Sequence, residues 1–196
     1  MSNFNFRLGT RVNISLFRVR GVVMLNEEIN IKKISECLSI LKVYVKMNTK
    51  INLNDICIIS EDFFCDLLNI IYGYKLLNAN TLESNFEAID LIDDNNKIVY
   101  QITTNNSTEK IRTTIKKFIQ RFDNNYQLKF IIIDNKKNYT AKFEIPTDYN
   151  FDKTNDIYFI EDFTEIIKQH NKINEVCDFI KKSFYIENFN RKYEWF

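Results

Sequence analysis

Apolar positions along this chain change period several times, and each change marks an element. Ile29, Ile31, Ile34, Cys37, Leu38, Leu41 and Val45 recur at helical spacing, which predicts an amphipathic helix over residues 27–47. A second helix is expected from about Ser60, read as its N-cap, to Gly73 at the C′ position, with Phe64, Leu67, Leu68 and Ile71 on its apolar face. The period then falls to two. Tyr74–Asn78, Phe86–Asp93 and Lys97–Thr103 read as three strands, the last two joined by the turn-forming run Asp93-Asp94-Asn95-Asn96. Helical spacing returns over residues 107–122, with Ile111, Ile115, Phe118 and Ile119 inward. Leu128–Asp134 is a continuous apolar run suited to a buried strand. A weakly patterned segment with Pro146 follows, then a short strand at Ile157–Ile160 and a closing helix over residues 161–184. The order predicts an α/β fold: a mixed sheet flanked by helices and preceded by an N-terminal amphipathic helix. Neither an internal repeat nor a Gly-rich phosphate loop is visible.

Composition narrows the functional classes. At 196 residues the chain fits one domain, and 45% hydrophobic with 27% charged residues is ordinary for a globular protein. A net charge of +1 gives no global signature of a nucleic-acid binder, so any basic surface is local. No apolar run is long enough to span a membrane, and a cytoplasmic location is expected. Cys37, Cys57, Cys65 and Cys177 form no C-x-x-C pair, and free thiols are expected rather than disulfides or a zinc site. A single histidine, His170, expected at the surface, removes His-based triads and His–metal clusters from consideration. Asparagine is abundant, as an AT-rich genome would produce, and is not read here as a capping signal.

The ends differ from the middle. Residues 1–23 hold Arg7, Arg11, Arg18 and Arg20 but no Lys, Asp or Glu. Two explanations stand: an upstream read-through with Met24 as the biological start, placed first, and a basic arm that touches nucleic acid. Residues 24–184 are expected to form the domain. The tail 185–196 is mixed aromatic and polar and ends in Trp195-Phe196, which suits docking on this domain or on a partner domain.

Chemistry concentrates on the central hairpin. Strand alternation puts Phe86, Ala88, Asp90 and Ile92 on one face, and Val99, Gln101 and Thr103 on one face of the next strand. A hairpin brings Asp90 beside Gln101. A carboxylate among Ile89, Leu91 and Ile92 is costly to bury unless paired or holding a cation. Glu61, three residues before Phe64, lies on the inward side of the preceding helix. Glu61, Asp90, the Gln101 oxygen and the Ile102 carbonyl would make a hard-oxygen site for Mg²⁺ or Mn²⁺. Plainer readings stay open: Asp90 as a solvated strand end or an ion pair with Lys110, Glu61 as a carboxylate favoured by the helix dipole, Gln101 and Thr103 as cross-sheet partners. Helix 107–122 carries Lys110, Arg112, Lys116, Lys117 and Arg121 against Glu109, which suits either a solvated face or a phosphate-facing one.

Several separated stretches resemble one family. Ser60-Glu61-Asp62-Phe63-Phe64, Leu67 through Gly73, Ala88-Ile89-Asp90-Leu91, Tyr100-Gln101-Ile102-Thr103 and Ser107 through Lys110 look like the SMEK domain, over roughly residues 24–135. That domain commonly begins multidomain bacterial proteins, several of them in genome-defence settings. Residues 60–135 further resemble the PD-(D/E)xK, restriction-endonuclease-like core, through element order and the Asp…Gln-x-Thr spacing. The resemblance implies a Mg²⁺- or Mn²⁺-dependent nuclease acting on nucleic acid, with DNA favoured. Glu61, Asp90 and Gln101 would hold the metal, and Lys110, Arg112, Lys116, Lys117 and Arg121 would grip the backbone. One departure matters. The pattern's lysine falls on Thr103, whose hydroxyl supplies no positive charge. Some superfamily members move that lysine to the following helix, which makes Lys110 the relocated cation, with Lys97 less well placed. The alternative is a catalytically silent SMEK module that binds nucleic acid or recruits a partner.

Overall fold

The computed structural model describes residues 17–19, 22–24, 26–53, 55–82 and 88–183. Most of the arginine-rich segment, Phe86 and the tail 185–196 lie outside these residues. Ahead of the helices, β1 (Phe17–Val19) and β2 (Val22–Met24) pair antiparallel.

Helix α1 (Asn26–Lys50) buries Ile34, Cys37, Leu38, Leu41 and Val45, the stripe that its spacing predicts. Helix α2 spans Asp55–Tyr72 and so begins before Ser60. Ser60 is buried in its second turn and its hydroxyl donates to the Cys57 carbonyl, so it is not an N-cap. Ile56, a turn earlier, extends the apolar stripe of Phe63, Phe64, Leu67, Leu68 and Ile71, and burial of that residue outweighs the capping preference of Ser60. Gly73 closes the helix in the left-handed region at φ 71°, with its N–H on the Asn69 carbonyl, where glycine has no Cβ penalty.

Five strands form one sheet: β3 (Leu77–Asn78), β4 (Leu91–Asp93), β5 (Ile98–Thr103), β6 (Gln127–Ile132) and β7 (Ile157–Phe159), neighbours in that order. The first three run antiparallel, whereas β5, β6 and β7 are parallel. Two strands are shorter than alternation predicts. β3 stops because the Asn78 side chain caps a 3-10 turn, Ala79–Thr81, by accepting from the Asn80 N–H. Composition had argued against reading asparagines as caps, and here one is. β4 starts late because Ala88 sits at φ 78°, outside extended backbone. The ladder still reaches one residue further. Asp90 N–H bonds the Tyr100 carbonyl at 2.8 Å, and its carbonyl accepts from Ala79 N–H at 2.7 Å.

Helix α3 (Thr108–Arg121) crosses from β5 to β6, capped by the Ser107 hydroxyl on the Lys110 N–H. Leu91, Ile98, Tyr100, Ile102, Ile131 and Ile133 face the core shared with α1 and α2. Ile92, Val99, Leu128, Phe130 and Ile132 face α3, where Tyr139, Phe143, Ile145, Tyr149 and Phe151 of the weakly patterned segment complete the second core. β6 is thus apolar on both faces, as a central parallel strand requires. The closing helix is two helices, α4 (Phe163–Gln169) and α5 (Ile173–Ser183). They part at Asn171, whose positive φ of 56° ends the first, and no continuous helix fits both faces. The fold is α/β, a five-stranded mixed sheet flanked by helices. The four cysteines are free. No described helix is long and apolar enough to cross a membrane.

Candidate functional site

The strand register answers the first question. Leu91 pairs with Tyr100 and Ile92 with Val99, so the next pair outward is Asp90 and Gln101. Their side chains meet as alternation predicts: the Gln101 amide nitrogen donates to Asp90 Oδ2 at 2.5 Å. The Ile102 N–H donates to the same oxygen, also at 2.5 Å. Gln101 Nε2 bonds the Ile102 carbonyl as well, at 3.1 Å. Gln101 therefore presents nitrogen, not oxygen, to the carboxylate. Ile102 contributes its N–H, while its carbonyl is occupied by that amide.

Helix α2 supplies the second carboxylate. Glu61 is half-buried, and Asn78 reaches it with Nδ2 at 3.5 Å while bonding Asp62 at 3.0 Å. Burial pushes the Glu61 carboxyl up, opposed by the amides of Asn78 and Asn80. Asp90 moves further. Burial, then the Glu61 charge, push its pKa to about 7, against the Ile102 N–H, the Lys110 charge and the Gln101 amide. Two carboxylates thus share a poorly solvated corner at the end of the β4–β5 hairpin. Cys57, one turn before Glu61, belongs to the same neighbourhood: burial and both carboxylates raise its thiol.

Lys110 lies in the first turn of α3, close enough for its charge to act on Asp90. Lys97 is at the opposite end of β5, its ammonium 3.1 Å from the Tyr126 hydroxyl and over that ring. Of the two lysines, Lys110 is the one whose charge acts on Asp90. Thr103 is half-buried at the end of β5, and its hydroxyl accepts from the Asn105 N–H at 3.0 Å. Its own proton remains available to a ligand.

The five basic residues of α3 do not share one face. Arg112 and Lys116, one turn apart and exposed, line an open groove of about 720 Å³ with Phe143, Glu144 and Pro146. Lys110, Lys117 and Arg121 follow a separate line that starts at the site and runs roughly 16 Å along the helix. Asp134, just past β6, belongs to the same end of the sheet but is satisfied by Lys46, Asn106 and the Asn135 N–H.

Residues of the site that sequence reasoning missed are Asn78, Asn80 and Cys57. Asn78 left a usable signal, an asparagine where a strand pattern ends. Among the described residues, no group of three or more His, Cys, Asp or Glu side chains could hold a metal ion. The cluster at Asp90 falls below that count, with two carboxylates and neutral oxygens. A Mg²⁺ that keeps waters and takes substrate phosphate needs only one or two carboxylates, so the donors fit on that condition. For Gln101 to join, its amide must rotate to present Oε1.

Compared with known proteins, the chain matches a family model described as SMEK domain over residues 33–171. That span is more than half the chain and runs past the resembling stretches into β7 and α4. No curated protein and no solved structure matches it.

Proposed function

The chain belongs to the SMEK domain family, and from that premise we propose that it carries a metal-dependent, restriction-endonuclease-like nuclease site acting on DNA in a bacterial defence setting. The observation that carries the reading is the half-buried Asp90 carboxylate, on which the charge of the half-buried Glu61 and that of the helix-borne Lys110 both act. Charge repulsion of this kind is a cost that a fold keeps when a cation relieves it. The order α2, three antiparallel strands, α3 and a parallel strand supports a PD-(D/E)xK core.

Asp90 and Glu61 would hold Mg²⁺ or Mn²⁺, joined by Gln101 once its amide turns. When bound, the cation supplies Lewis acidity toward a phosphodiester and a water. Lys110 neutralises charge on the phosphate from the α3 side, and the Thr103 hydroxyl orients water or phosphate. Lys117 and Arg121, further along the Lys110 line, engage the backbone, with Arg112 and Lys116 on the second flank.

The test is cleavage of plasmid and single-stranded substrates with Mg²⁺ or Mn²⁺, paired with metal-dependent thermal stabilisation. Wild type is expected to cut and to melt higher with metal. Asp90→Ala loses both, and Lys110→Ala loses roughly a hundredfold in rate while keeping the metal shift. If wild type shows neither effect, the nuclease reading is wrong.

A second reading has its own support. Thr103 in place of the expected cation, and the Gln101 nitrogen turned toward Asp90, suit a silent module that binds nucleic acid or a partner. It predicts salt-sensitive DNA binding without metal and without cutting.

A further inference from the structure

Helix α1 bears two apolar lines. The first is buried against α2 and α5. The second lies on its outer side: Ile40, Val43, Tyr44 and Met47, continuing into Ile51 just past the helix, are each 47–66% exposed. Their steps of three and four residues keep them on one stripe about three turns long, the spacing of a helix that packs against another helix. A contiguous apolar stripe of this length marks an interaction surface rather than scattered exposure.

We infer that this stripe pairs with the same stripe of a second copy of the chain, the two α1 helices running antiparallel about a two-fold axis between Val43 and Tyr44. Such pairing sets Ile40 against Met47 of the second copy and Val43 against Tyr44 of the second copy. Charge selects the direction. Glu36 and Lys50 are both exposed, lie on the same flank of the stripe, and sit at about equal distances either side of the axis. Antiparallel helices bring each flank against itself, so Glu36 of one copy faces Lys50 of the other, twice per dimer. A parallel pairing would set each flank against the opposite flank, and Glu36 would not meet Lys50. The interface uses none of the residues of the Asp90 site and stands whether or not that site cuts DNA.

Sedimentation velocity of the full chain over a concentration series tests it. Wild type is expected to show a monomer–dimer equilibrium. Met47→Glu, which places a charge in the stripe, is expected to be monomeric at every concentration with unchanged circular dichroism. Glu36→Lys or Lys50→Glu alone should weaken the dimer roughly tenfold, and the double reversal should restore it. A wild-type chain that stays monomeric overturns the proposal, because the stripe then belongs to a different partner. A dimer indifferent to Met47→Glu, or not recovered by the double reversal, overturns it equally.

Discussion

Asp90 and Asp93, three residues apart toward opposite ends of the central hairpin, are treated in opposite ways. At the turn between β4 and β5, Asp93 is buried and accepts from the Lys75, Asn95 and Asn96 N–H groups and from the Asn96 amide. Burial alone would raise its pKa, but these donors hold it below the usual carboxylate range. Nearby, Asp156 is equally buried and takes Lys129, Gln127 and the Asp152 N–H. At the other end Asp90, three residues before Asp93, has fewer donors and a second carboxylate for a neighbour, and is raised to about 7. Burial is common to both ends, so burial is not the distinguishing property. Saturation is: Asp93 and Asp156 are fully partnered, while Asp90 has fewer donors and a neighbouring negative charge.

The largest break in this contrast comes from the saturated end. Asp93→Ala strips four hydrogen bonds from the turn and leaves the Lys75 N–H without its acceptor, so urea unfolding should show a loss of about 3 kcal/mol. Asp90→Asn should do the reverse. It removes a charge that is poorly accommodated, and a gain of about 2 kcal/mol is expected at pH 8, seen as a higher melting temperature without metal. Near pH 4 that gain should vanish, because native Asp90 is already protonated there.

The pH dependence of wild type sharpens the point further. Asp90 has a raised folded pKa, so its protonated form favours the native state, and stability drains away as pH rises from about 4 to about 7. Asp93 has a lowered one. Its contribution is present above the unfolded value near 4 and is lost as pH falls below it. The two slopes have opposite signs, and each substitution should remove its own. The smallest effects are on Asp90 itself: Glu61→Gln should lower its pKa and Lys110→Met should raise it by less, read by carbon-detected carboxyl titration. An Asp90 pKa that ignores Glu61 would dissolve the shared site.

Much of this was legible beforehand, and for local reasons. Alternation over Leu91–Asp93 and Ile98–Thr103, with a turn of Asp and Asn between, leaves few registers, and the observed one sets Asp90 against Gln101. The stripe on α1 and the inward line of α3 were readable from spacing alone. Where expectation failed, a non-local term decided. α2 starts at Asp55, where Ile56 finds a core to bury in, rather than at Ser60. The closing helix splits at Asn171 because two separate faces must be satisfied.

By itself, then, the sequence determined which residues share a face, which strands form the hairpin and that a carboxylate sits in an apolar strand, since periodicities of two and 3.6 are properties of the backbone. Only the tertiary structure decided that the Glu61 charge acts on Asp90, that the Lys110 charge does so too while Lys97 lies at the other end of β5, that Gln101 offers nitrogen, and that the Asp90 carboxyl is raised where that of Asp93 is lowered. Those depend on the charges and donors that other elements bring within a few ångströms, and no spacing along the chain encodes that distance.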